Sequence, residues 1–89
     1  MRAVMTVIGP DRVGIVAGVT TLLASLNINI LDLSQTIMSG IFTMTLLVDT
    51  AEANRPFDEI REELKQHGEE RNLSIRIQRE DTFTAMHRI

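Results

Sequence analysis

The residues best placed to do chemistry lie in one loop, Gly9-Pro10-Asp11-Arg12-Val13-Gly14-Ile15, which runs directly into an apolar periodic stretch. If a helix begins there, its first turn presents unpaired backbone N–H groups and a positive partial charge, a natural seat for a carboxylate. Gly14, expected in that first turn, has no side chain to block a ligand approaching the backbone. The plainer reading is that Gly9 and Gly14 let the chain turn and pack and that Asp11 caps the helix. For Asp11 alone the capping role is the better account. For the loop as a whole, a binding site is.

The remaining reactive side chains do not assemble into a catalytic set. His67 and His87 are the only histidines, and nothing near them supplies cysteine or a carboxylate cluster at metal-ligand spacing, so no metal is expected. His67 reads as a solvated partner of a helix C-terminus and His87 as a tail residue. Glu59, Glu62, Glu63, Glu69 and Glu70 resemble an acid/base reservoir. Interleaved with Arg61, Lys65 and Arg71, however, they read as an exposed helix face. No nucleophile, base and orienting group can be put together, so neither catalysis nor a cofactor is expected.

Composition narrows the function classes further. With 89 residues the chain has room for one hydrophobic core, and its 44% hydrophobic and 24% charged residues are ordinary for a folded domain. A formal charge of −3 does not provide the basic field that nucleic acid requires. Cysteine is absent, which removes thiolate chemistry and any need for an oxidising compartment, and a cytoplasmic location is expected. The longest apolar runs are far below the length of a membrane span. The N-terminus alternates like a strand and has no cleavage-site pattern, so no signal peptide is expected.

These residues need elements to hold them. Arg2 to Ile8 alternates with both registers largely apolar, as in a central strand covered on both sides, and Gly9-Pro10-Asp11 should break it. Ile15, Val16, Val19, Leu22, Leu23 and Leu26 form one helical stripe, predicting a helix over 13–26 that Asn27 ends in the left-handed conformation. Ile28 and Ile30 are out of phase with Leu31, Leu33 and Ile37, so a strand through this segment needs a β-bulge near Leu31. Ser39-Gly40 separates it from a second strand carrying Phe42, Met44, Leu46 and Val48 on one face, which makes a hairpin.

Pro56 suits the first position of a second helix, with Asp58 and Glu59 near its positive end and Phe57, Ile60 and Leu64 as its buried stripe. Gly68 either permits close helix-to-sheet approach or ends this helix. Leu73, Ile75 and Ile77 alternate with Ser74, Arg76 and Gln78, a half-exposed strand suited to a sheet edge. Phe83, Met86 and Ile89 suggest a short amphipathic terminal helix in 80–89. The order βαββαβ predicts an α+β, ferredoxin-like fold: a four-stranded antiparallel sheet, both helices on one face, strands one and three in the middle. Residues 1–89 are read as a single domain.

The loop Gly9 to Ala17 resembles the first strand-to-helix loop of ACT domains, where a G-x-D-x-x-G-[IL] pattern opens the first helix. Leu26-Asn27-Ile28-Asn29-Ile30 is similar to that family's entry into its second strand. The style of the loop is that of small stand-alone ACT-domain proteins of the UPF0237 type, and also of the glycine-cleavage repressor and the N-terminal part of formyltetrahydrofolate deformylase. The resemblance implies a non-catalytic regulatory module that binds a small molecule, expected to be an amino acid, and that acts on a partner enzyme or regulator. Its ligand contacts would be Gly9, Pro10, Asp11, Arg12, Val13, Gly14 and Ile15, together with Asn27, Ile28 and Asn29 reached across a subunit interface. Capping by Asn27 and turn formation by either asparagine account for those residues equally well. The apolar second face of the sheet needs a cover, expected from a second subunit in a homodimer and from the tail. The competing reading is an interaction or structural module of the same fold without a ligand.

Overall fold

The structure, a computed structural model, describes residues 1–81. Its elements are β1 (Arg2–Pro10), α1 (Ile15–Ser25), β2 (Asn29–Met38), β3 (Ile41–Asp49), α2 (Phe57–Glu70) and β4 (Ser74–Arg79). The strands form one antiparallel sheet in the order β2-β3-β1-β4. This is the ferredoxin-like βαββαβ fold, with β3 and β1 in the centre as the element order predicts. The terminal helix expected from Phe83, Met86 and Ile89 lies outside the described residues.

The core lies between the helices and one face of the sheet. On β1 and β3, Ala3, Met5, Val7, Met44, Leu46 and Val48 are fully buried, and they meet Ile15, Val19 and Leu23 of α1 and Ile60 and Leu64 of α2. Burying each such side chain contributes about 1.5–3 kcal/mol, which is what holds the two helices to the sheet. The register of β2 against β3 shifts between Ile30 and Asp32. Leu31 is the extra residue, and the bulge allows Ile30 and Leu33 both to pack against the core despite their sequence phase. Ser39 (φ +50°) and Gly40 (φ +79°) make the tight turn between β2 and β3.

Several local expectations are corrected. Gly9-Pro10 does not break β1, because the β4 ladder stops at Ile8↔Ser74 while the β3 ladder runs on to Pro10↔Ile41. Pro10 therefore sits where β1 has a neighbour on one side only, and its missing N–H is not needed. Helix α1 begins at Ile15 rather than at residue 13, because Gly14 has φ +93°, a left-handed conformation incompatible with a helical turn. The second face of β1 has no cover among the described residues: Val4 and Thr6 are half-buried and Ile8 is 43% exposed.

Of the two roles open to Gly68, close approach holds. Helix α2 continues to Glu70, and a Cβ on Gly68 would lie 2.6 Å from the carbonyl oxygen of Leu73. His67 is not the solvated residue expected. Its ring packs against Gly18 of α1, and its Nε2 is buried without a hydrogen-bond partner among the described residues.

Candidate functional site

The loop between β1 and α1 is held at its first residue and open beyond it. The Asp11 amide donates to the Gly40 carbonyl at 2.8 Å, joining the loop to the β2–β3 turn. Asp11, Arg12, Val13 and Gly14 are all exposed, with Val13 wholly in solvent. Gly14 is the N-cap residue of α1, no side chain caps the helix, and the first turn holds no acidic residue. Among the described residues, no side chain answers the positive partial charge of the leading N–H groups of α1. Asp11 does not cap the helix, contrary to the role preferred for it alone.

Gly14 serves the loop in two ways. Its φ of +93° is a conformation that side chains rarely adopt, and a Cβ there would meet nothing within 4 Å. The space before the helix is open. Gly9 is different: a Cβ would come 2.6 Å from Leu73 and 3.0 Å from the Asn72 carbonyl, so its role is close packing against the chain entering β4. Ile15 is buried in the core and presents only its backbone to the loop.

The second group of predicted residues lies at the other end of α1, an 11-residue helix about 16 Å long. Asn27 has φ +58°, as expected of a residue ending the helix; its amide donates to Ala24 O at 3.0 Å and its Nδ2 to Glu52 O at 2.7 Å. It is thereby committed to joining α1 to the loop before α2, a junction reinforced by Asn54, whose Nδ2 donates to Ser25 O at 2.9 Å. Ile28 is buried. Asn29 is exposed, opens β2 opposite Asp49, and its side chain makes no hydrogen bond among the described residues.

Within one chain the two groups are not brought together. Asn29 belongs to the row Asn29↔Asp49↔Arg2, whereas the loop leaves the row Met38↔Ile41↔Pro10. Those rows lie eight residue steps apart along β1, roughly 26 Å at about 3.3 Å per step.

A feature missed in the sequence lies on β2, the strand that carries both rows at its ends. None of its ten residues is buried, although it includes Ile30, Leu31, Leu33, Ile37 and Met38. Ile37 and Met38 are 58% and 70% exposed. Asp32 is the only charge on this edge strand, so little discourages another strand from pairing with it. The apolar run was visible in the sequence, but its position at the sheet edge comes only from the strand order.

A family model described as ACT domain matches residues 2–78. The chain belongs to the ACT domain family. Among relatives of this ACT domain, UPF0237 protein lin0537 of Listeria innocua is 57% identical over the whole of both chains. The structure of an ACT domain protein from Streptococcus pneumoniae superposes with a TM-score of 0.83, at 40% identity and 98% coverage of each chain. A formyltetrahydrofolate deformylase from Pseudomonas syringae is also similar, with TM-score 0.80 and 34% identity. The ACT domain spans 88% of itself but only 27% of that enzyme, so the likeness is to one part of it. The resemblance to ACT domains and to UPF0237-type proteins read from the sequence thus holds.

Proposed function

We propose that this ACT domain is a non-catalytic regulatory module whose homodimer senses an amino acid and passes the signal to a partner enzyme or regulator. The observation that carries the proposal is the uncapped N-terminus of α1 behind the open Gly14 loop. Its free N–H groups suit the ligand's carboxylate.

The register supports a site completed by a second subunit. If two β2 edges pair antiparallel about a two-fold axis over their full length, Asn29 of the partner subunit falls beside Met38, in the row that leads through Ile41 to Pro10. The group separated within one chain is then supplied by the other. The N–H groups of α1, with Asp11 and Arg12, would face the ligand's charged ends, and the partner's Asn29 would hydrogen-bond a polar group. The apolar residues of β2 would be buried in the same step.

Thermal-shift screening against the amino acids tests this reading. A specific ligand at 100 times its dissociation constant stabilises the fold by about 2.7 kcal/mol, well above the spread of non-specific shifts. A flat response across all of them would favour the ligand-free interaction module instead.

A further inference from the structure

We propose that the free edge of β4 takes an acidic peptide segment as an added strand. Among the described residues, the strand order leaves β4 paired on one side only, with β1. Along its other side runs a cavity of about 830 Å³ lined by every residue of β4 and by Arg61, Lys65 and Glu69 of α2. Residues from both faces of β4 line it. The cavity therefore lies beside the strand, where the next strand of the sheet would run. Arg61, Lys65 and Glu69 are spaced by four and form one row along α2, a wall beside that position.

The charge of this groove identifies the occupant. Arg61, Lys65, Arg76 and Arg79 line it against the single acid Glu69, in a chain whose net charge is −3. Lys65 and Arg76 have no ion-pair partner among the described residues. Arg76 pairs with Thr6 and so lies on the face away from the helices, while Lys65 belongs to α2, so cations flank the proposed strand position on both faces. A second copy of the same edge is disfavoured, because two-fold antiparallel pairing centred on β4 would set Arg76 opposite or diagonal to its own counterpart. An extended segment bearing glutamate or aspartate on both faces satisfies the backbone row and the unpaired cations together.

Fluorescence polarisation with the full chain tests this, using a short labelled peptide of valine and paired glutamates. Its lysine counterpart and an equally acidic peptide with central prolines serve as controls. The acidic peptide should bind saturably and more weakly as salt rises, and the two controls should not bind. The double substitution of Arg76→Glu and Lys65→Glu, both exposed, should weaken binding about tenfold or more with circular dichroism unchanged. Equal binding of the proline peptide would reduce the site to a polyanion patch and overturn the proposal. So would binding that the double substitution leaves intact, or a change of oligomeric state in Arg76→Glu, which would assign the groove to a second copy. Binding that requires deletion of residues 82–89 would assign it to the chain's own tail and overturn it equally.

Discussion

The amide of Asp11 donates to the carbonyl of Gly40 at 2.8 Å, which ties the loop before α1 to the β2–β3 turn. Gly40 has φ +79°, and alanine there costs about 1–2 kcal/mol in the left-handed conformation although its Cβ would meet nothing within 4 Å. Gly40→Ala should lower stability by that amount in urea unfolding. If the loop before α1 is the binding site proposed above, it should also weaken ligand binding through the Asp11–Gly40 bond.

Gly14 and Gly68 differ in why they must be glycine. Gly14→Ala strains the backbone without a clash, so a loss of about 1–2 kcal/mol with intact helix content is expected. Gly68→Ala forces a Cβ to 2.6 Å from Leu73 O and 3.1 Å from Ile75, and α2 must move off β4, at about 1–3 kcal/mol or more. Gly18 is the control. Its added Cβ would contact the His67 ring at an ordinary 3.5 Å, so Gly18→Ala should stabilise by about 0.5–1 kcal/mol through helix propensity. Chemical denaturation of the three variants ranks them directly.

His67 makes stability depend on pH. Burial against α1 lowers its pKa from the ordinary 6.5, and nearby Arg71 acts in the same direction, while Glu70 opposes both. The unfolded chain therefore binds the proton more readily than the fold. Stability is complete above the ordinary value and falls as the pH drops below it. His67→Gln should flatten the unfolding midpoint measured from pH 7 to pH 5. A midpoint that falls equally in both proteins would show that other groups are responsible.

What the sequence disclosed was whatever local phase and local backbone determine. The Leu31 bulge showed as a change of apolar phase, and Asn27 as the one residue after the α1 stripe that accepts positive φ. The role of Gly68 stayed open because it depends on Leu73 O, which only the turn into β4 brings near. Pro10 looked like a strand breaker because nothing local shows that the β4 ladder ends at Ile8. The two parts of the proposed binding site were named together on resemblance, yet their separation within one chain follows from strand order. The β4 groove was invisible for the same reason, since it forms where a helix row meets a sheet edge.

The dimer predicted from β2 can be tested without a ligand. Ile37→Lys with Met38→Lys places like charges on the edge, both at exposed positions, so each chain should keep its fold. Light scattering should report a dimer for the unaltered protein and a monomer for the variant. Unchanged mass would move the interface elsewhere.

The composite site is tested most directly by complementation. Gly14→Asp sets a carboxylate before α1, with a backbone strain that aspartate bears better than most side chains, and should abolish binding of whichever amino acid the thermal screen identifies. Asn29→Ala should remove the contact supplied from the partner. Mixed and exchanged in equal amounts, the two variants form hybrid dimers with one site built wholly from unaltered residues. Calorimetry should find no binding to either variant alone, and in the mixture normal affinity at about a quarter of the unaltered protein's sites. A silent mixture whose hybrids are shown to form, or full binding by either variant alone, would contradict a site shared between two subunits.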